Sequence, residues 1–175
     1  MTKQDFIHKI TTEGINMNMS EMVALIENGD ISIETVFHIV TENIDPQSWF
    51  ACWILNHYAD NHPSAAEPYL DEIVLLLPQV SRTGLLRLLL RLVILAPNWK
   101  IEKLGLLLDF CLNTLTNMSI PVGVKANAMS IIDRIAETEP DIREEALLII
   151  EEQVPYLSAG GLSKAKKILK KYRTE

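Results

Sequence analysis

The sequence predicts an all-α fold in which helical hairpins stack on one another. Apolar residues recur every three or four positions through most of the chain, which is the spacing of one helix face. Strand signals are missing, because no pair of alternating apolar and polar runs is joined by an Asn-Gly or Asp-Gly turn. Three prolines, Pro63, Pro97 and Pro140, each follow a long apolar segment. Their recurrence indicates a repeated helical unit.

Turn-forming residues divide the chain into predicted helices. The breaks contain Gly or Pro beside small or polar residues, as at Asn28-Gly29-Asp30, Asn61-His62-Pro63, Ala96-Pro97-Asn98 and Glu139-Pro140-Asp141. In chain order the predicted helices are 2–13, 20–28, 32–43, 47–61, 65–77, 82–95, 100–116, 121–138, 141–154 and 162–173.

The helix before each reference proline carries the same apolar pattern. Counted back from the proline, positions 12, 9, 8, 5 and 4 are apolar in all three units. They are Ala51, Ile54, Leu55, Tyr58 and Ala59, then Leu85, Leu88, Leu89, Leu92 and Val93, then Ala128, Ile131, Ile132, Ile135 and Ala136. This spacing places the side chains on one helix face, so each helix is expected to pack against a neighbour.

The helix after each proline continues the repeat. Equivalent positions are Leu70, Ile73, Val74 and Leu77, then Leu104, Leu107, Leu108 and Cys111, then Leu147, Ile150, Glu151 and Val154. Among these, Glu151 departs from the apolar pattern. Each unit is therefore predicted to be a helical hairpin, and thin hairpins must stack to bury their apolar flanks.

We predict a single domain over residues 1–175, organised in three parts. Residues 1–45 form divergent N-terminal helices whose pairing stays open. Residues 46–157 form three helical hairpins, and residues 158–175 form a capping helix with one apolar face. A chain of 175 residues has the length of one ordinary domain.

Composition and charge exclude several classes of protein. Apolar residues make up 48% of the chain and charged residues 22%, which excludes a disordered chain. The longest apolar run, Leu85 to Ala96, is interrupted by Arg87 and Arg91, and no leader segment is apparent, so we expect a cytoplasmic protein without a membrane helix. Cys52 and Cys111 lie in apolar stretches and are expected to be buried thiols.

The charge is unevenly distributed. Residues 1–79 hold two basic against twelve acidic residues, whereas residues 80–175 hold fourteen basic against eleven acidic residues. The net charge of −7 argues against nucleic-acid binding by the whole surface, because such binding depends on Lys and Arg. The densest basic cluster contains Lys164, Lys166, Lys167, Lys170, Lys171 and Arg173, with Glu175 beside it, and is interpreted as a solvated helix face.

Equivalent positions outside the apolar pattern predict a basic strip for partner binding. Six residues before each proline stand His57, Arg91 and Arg134, and fifteen before it stand Ser48, Arg82 and Lys125. Ten before it, Trp53 and Arg87 add an aromatic and a cationic group. Such a strip can bind an acidic protein or peptide. The alternative is that these cations pair with carboxylates of adjacent units, such as Asp60, Asp109 or Asp133.

The third unit resembles a HEAT repeat. The segment Pro121-Val122-Gly123-Val124-Lys125-Ala126-Asn127-Ala128-Met129-Ser130-Ile131-Ile132 has the early proline, the Val-Lys step and the alanine-rich apolar face of the first HEAT helix. Asp45-Pro46 is a second match to that opening, and Ser81-Arg82 departs from it by lacking the proline. The resemblance covers about residues 45–173, and it implies an α-α superhelix, armadillo-like in type, that acts as a binding scaffold.

Two further resemblances concern enzymes. The stretch from Pro121 to Gly161 resembles small bacterial HEAT-like proteins that sometimes carry an adenylosuccinate lyase label. Ser158-Ala159-Gly160-Gly161 does not match the serine loop of that lyase superfamily, so lyase activity is not expected. HEAT-like alkylpurine DNA glycosylases provide the other resemblance, because Trp49, Trp53, Asp60 and the basic strip could imitate their lesion-binding surface.

No catalytic, cofactor or metal motif is found. His57 and His62 are five residues apart, which is unsuitable for one helix face, and Cys-x-x-Cys and His-Glu-x-x-His are missing. We therefore expect no cofactor and no metal. The prediction is a non-enzymatic scaffold that binds a protein or peptide, with the glycosylase-type protein as the alternative; partner identity and oligomeric state stay open.

Overall fold

The computed structural model describes residues 1–173, and within them every regular element is helical. The predicted all-α helical repeat fold is confirmed. Glu175 and the end of the predicted segment 158–175 lie outside the described residues. The described residues fold into two compact units, one of residues 1–102 and one that begins at residue 103.

The first unit contains six α-helices. They are α1 (Lys3–Glu13), α2 (Met19–Glu27), α3 (Ile33–Thr41), α4 (Gln47–Asn61), α5 (Leu70–Leu76) and α6 (Thr83–Leu95). Short 3₁₀ helices occupy Gly14–Asn16, Pro63–Tyr69 and Leu77–Gln79. Helix α4 is central, because α1, α2, α3 and α6 all pack against it.

Side chains mark several helix starts in this unit. Thr2 and Asp5 form a capping box at the start of α1, and Ser32 Oγ accepts a hydrogen bond from the Thr35 backbone N–H at the start of α3. The hydrogen bonds from Thr2 hold the pKa of the Asp5 carboxyl below its usual value. A cis peptide bond joins Asp45 to Pro46, just before α4.

The second unit contains four α-helices. They are α7 (Leu104–Thr116), α8 (Val122–Thr138), α9 (Pro140–Gln153) and α10 (Ala159–Arg173), with a 3₁₀ helix at Val154–Tyr156. Helix α8 is central here, because α7, α9 and α10 pack against it. The predicted middle hairpin, residues 82–116, draws α6 from one unit and α7 from the other, so its pairing stays a prediction.

The apolar repeat positions form the core of each unit. Leu55 is 1% exposed, and Leu89 and Ile132 are fully buried. Of the fifteen positions aligned before the prolines, thirteen are buried, while Tyr58 and Leu88 are half-buried. Glu151, which breaks the pattern on the following helix, is exposed and pairs with Arg173 at 2.6 Å.

Two predicted helices begin four or more residues later in the structure, and α10 begins at Ala159, three residues earlier than predicted. The predicted helix 65–77 is α-helical only over Leu70–Leu76, because Pro68 lacks the backbone N–H that an α-helical ladder needs and the preceding turn is 3₁₀. The predicted helix 100–116 begins at Leu104, and residues 100–103 lie outside any helix. Helix α4 has the predicted bounds, residues 47–61.

Candidate functional site

An open groove of about 400 Å³ lies between α4 and α6 in the first unit. Four of the predicted binding residues, Trp53, His57, Arg87 and Arg91, lie in it together. We call it the α4–α6 groove; its lining residues are Trp49, Trp53, Asn56, His57, Asp60, Gly84, Arg87, Leu88 and Arg91.

Aromatic rings form one wall of the α4–α6 groove. Trp49, Trp53 and His57 stand four residues apart on α4, so they follow one helix face. The two tryptophan rings are stacked with their centroids 6.0 Å apart, and the His57 ring lies 6.1 Å beyond Trp53. This row of rings can take the side chain of a bound segment against its faces.

The α6 wall of the groove carries two arginines, and side chains of α4 accept hydrogen bonds from one of them. The Arg91 guanidinium donates to Asp60 Oδ1 at 2.6 Å and to Asn56 Oδ1 at 3.2 Å. The pairing of Arg91 with Asp60 is one that the ion-pair alternative names. Arg87 lies one turn earlier on α6, with an exposed side chain that lines the groove.

At one end of the groove, Arg82 lies over an aromatic ring. Its guanidinium is 4.1 Å from the centroid of the Trp49 ring, and it also pairs with Asp45. Trp49 can approach α6 closely because residue 84 is glycine: an added Cβ there would lie 3.2 Å from Trp49 Nε1. Gly84 therefore sets the width of this end.

Lys125 and Arg134, the other predicted binding residues, lie on α8 in the second unit. Lys125 is only 6% exposed, and its ammonium donates to the backbone carbonyl of Leu115 at 2.9 Å. Its charge is therefore directed at the end of α7. Arg134 is half-buried, and burial lowers the pKa of its guanidinium.

Sequence reasoning missed three of the residues that line the groove: Asn56, Gly84 and Leu88. Asn56 is 3% exposed, and its side-chain amide donates to the backbone carbonyls of Cys52 and Leu88. A single amide within the apolar face of α4 is a signal for such a link, because a buried amide needs partners. Leu88 was not predicted to line the groove, because its place in the apolar repeat pattern assigns it to the core.

The described residues show no constellation suited to metal chemistry. No group of three or more His, Cys, Asp or Glu side chains that could hold a metal ion occurs among residues 1–173. Cys52 and Cys111 are both fully buried, and burial raises the pKa of each thiol. Neither thiol is poised as a nucleophile, since the reactive form is the thiolate.

Comparison with known proteins identifies the family. The HEAT repeat domain matches residues 6–172, nearly the whole chain. The chain belongs to the HEAT repeat family. The match to this HEAT repeat domain includes the N-terminal helices that the sequence pattern marks as divergent. No curated protein and no solved structure matches the chain.

Membership of the HEAT family makes the chain a helical repeat scaffold. Within the part of the HEAT chain that the structure describes, every helix is too short or too polar to cross a membrane. The α4–α6 groove lies between two consecutive first helices of the predicted repeats.

Proposed function

We propose that this HEAT repeat protein is a non-enzymatic scaffold that binds an acidic protein or peptide segment in the α4–α6 groove. The convergence of Trp53, His57, Arg87 and Arg91 on one open groove carries the proposal. We also propose that it does so in the cytoplasm, the location that the sequence predicts.

The distribution of charge in residues 1–102 supports an acidic partner. This part of the chain has six basic residues, and three of them, Arg82, Arg87 and Arg91, lie on α6 or at its start. The positive charge of an otherwise acidic unit is therefore concentrated beside the aromatic rings. A guanidinium next to a tryptophan face binds a carboxylate and an adjacent apolar group at the same time.

Arg91 and Arg87 have different roles in this proposal. Arg91 is tied to Asn56 and Asp60, so we assign it to holding the groove walls together. Arg87 is exposed and lines the groove, so we assign it to the partner's carboxylate. Trp53 supplies the apolar contact, because its ring lies between those of Trp49 and His57.

The test is selection of short peptides from a display library, followed by measurement of the synthesised peptides by fluorescence anisotropy. We expect the selected peptides to combine Asp or Glu with an aromatic residue. Arg87→Gln should weaken their binding about tenfold, the value of one charge-assisted contact. Because Arg87 is exposed, any surface contact that it makes contributes little, and the free energy of unfolding should change by less than about 1 kcal/mol.

Lys100→Gln is the matched control, because it removes one positive charge from an exposed position outside the groove. The control should bind the selected peptides as the unchanged protein does. A large loss of stability in Arg87→Gln with unchanged peptide binding would contradict the proposal and favour the ion-pair alternative for this residue.

A second candidate function has one observation in its favour. Trp49, Trp53 and Asp60, which the resemblance to alkylpurine DNA glycosylases singles out, all line the α4–α6 groove. Asp60, however, is engaged by Arg91, which reduces its capacity to stabilise a cationic base. Binding of alkylated duplex DNA that persists at physiological salt would favour this candidate, because weak charge-driven binding disappears there.

A further inference from the structure

A second cavity, of about 460 Å³, lies between α8 and α10 and has no part in the proposed peptide binding. Three lysines of α10 line it, at positions that share one helix face, together with a hydroxyl and one carboxylate from α8. We call it the α8–α10 cavity; its lining residues are Ser130, Asp133, Lys164, Lys167, Ile168 and Lys171.

One of the three lysines neutralises the carboxylates around the cavity. Lys171 Nζ lies 3.0 Å from Asp133 Oδ1 and also pairs with Glu137. Tyr172 adds a hydrogen bond from its hydroxyl to Asp133 Oδ1 at 2.8 Å. Groups of α10 thus already stabilise the negative charge of Asp133.

The other two lysines bring further positive charge to the same space. Lys164 and Lys167 make no ion pair with any residue in 1–173. Lys164 is half-buried, and this burial lowers the pKa of its ammonium group; the attraction of Asp133 opposes the shift, and repulsion from Lys167 adds to it. Two neighbouring ammonium groups at the wall of one cavity would gain from an anion between them.

A hydroxyl donor completes the lining on the α8 side. Ser130 Oγ is 3.3 Å from the Ala126 carbonyl oxygen, which is long for a hydroxyl hydrogen bond, so its proton can turn to a ligand. Two ammonium groups and a hydroxyl suit a doubly charged tetrahedral anion better than a carboxylate, because a phosphate monoester carries close to two negative charges at neutral pH.

We propose that the α8–α10 cavity is a binding site for a phosphate group, held by Lys164, Lys167 and Ser130. Lys171 positions the α8 wall through Asp133 and Glu137 and leaves the other two lysines to the anion. The phosphate can be free or esterified, and the two sources share the same recognition by ammonium groups.

Calorimetric titration of the full chain with inorganic phosphate and with O-phosphoserine tests the site, with acetate at matched ionic strength as the reference anion. We expect both phosphate probes to bind and acetate to bind much more weakly. Tighter binding of O-phosphoserine identifies an esterified ligand, and equal or tighter binding of inorganic phosphate identifies the free anion.

The variant Lys164→Gln with Lys167→Gln should lower the affinity for the probes at least about tenfold. Lys166→Gln with Lys170→Gln is the matched control, because it removes the same charge from α10 outside the cavity, and it should lower affinity less than about threefold. Ser130→Ala, which keeps both lysines, should also weaken binding and covers the case in which the double variant misfolds.

Three results would overturn the proposal: no binding of either phosphate probe, equal binding of acetate, or equal losses in the two double variants. Equal losses would mean that the lysines of α10 act only as a diffuse charged surface.

Discussion

At the scale of single residues, Asn56 links two helices. Its amide donates to Leu88 O on α6 at 3.1 Å, and its Oδ1 accepts from Arg91 at 3.2 Å. Asn56 is only 3% exposed, so water cannot readily replace these contacts. The width of the α4–α6 groove therefore depends on a residue that offers little surface to a ligand.

Asn56→Ala tests this link. The change leaves the Leu88 carbonyl without its side-chain donor and creates a small cavity, so we expect a loss of about 2 kcal/mol in the free energy of unfolding. Urea denaturation followed by circular dichroism measures it. Asn61→Ala, at the exposed end of α4, is the control and should change stability by less than about 0.5 kcal/mol. Equal effects of the two substitutions would contradict the assigned role.

The sequence predicted part of the groove because helical geometry is regular. Trp53 and His57 are four residues apart on α4, and Arg87 and Arg91 are four apart on α6, so each pair had to share a helix face. Lys125 was placed on the same strip by its repeat position. Its long side chain instead reaches inward to Leu115 O, a contact that depends on where α7 ends, and repeat spacing carries no information about that end.

At the scale of helices, the side chain at one repeat position donates a hydrogen bond to the last turn of the preceding helix in both units. Ser48 and Lys125 each stand fifteen residues before a reference proline. Ser48 Oγ donates to Ile39 O in the last turn of α3 at 2.6 Å, and Lys125 Nζ donates to Leu115 O in the last turn of α7 at 2.9 Å. Carbonyls in a last helical turn lack partners within the helix, and these side chains supply them.

Lys125→Met tests the importance of this contact. The substitution keeps the side-chain length but removes the donor, and the buried Leu115 carbonyl loses its partner, so stability should fall by about 1–3 kcal/mol. Thermal unfolding followed by circular dichroism is the measurement. The same change at the exposed Lys100 is the control and should have little effect. Unchanged stability in Lys125→Met would show that water or another donor satisfies Leu115.

The helices themselves were largely predictable, and the segment before α5 is the clearest exception. Helix α4 has its predicted bounds because a long apolar face and Pro63 define it. The segment Pro63–Tyr69, most of which the prediction placed in a helix, winds as a 3₁₀ helix. Its two prolines remove backbone donors, and the choice between the two helical forms then depends on packing against α4 and α6, which a linear pattern does not contain.

At the scale of the whole molecule, each compact unit is built around one helix. In residues 1–102 this is α4, and in the unit that begins at residue 103 it is α8. Both are first helices of predicted hairpins and both precede a reference proline. In each unit, the helix around which the others pack is thus one that the sequence marks by its apolar face and the reference proline after it.

Hydrogen exchange measured by mass spectrometry tests this arrangement. Amides of α4 and α8 should exchange at least about tenfold more slowly than those of α1 and α10, because opening a central helix breaks more of the core. Each comparison is made within one unit, α4 with α1 and α8 with α10. Equal protection of the central and terminal helices would contradict the central placement of α4 and α8.

The hydrogen bonds from Ser48 and Lys125 to the preceding helix also bear on how the sequences of such chains can diverge. In each case a side chain of the following helix, besides the connector, helps to fix where the preceding helix ends. Replacement of Ser48 or Lys125 by a residue without a donor should then loosen the last turn of α3 or α7 even where the connector is unchanged. Natural variation at this repeat position would then be limited to side chains that can donate a hydrogen bond.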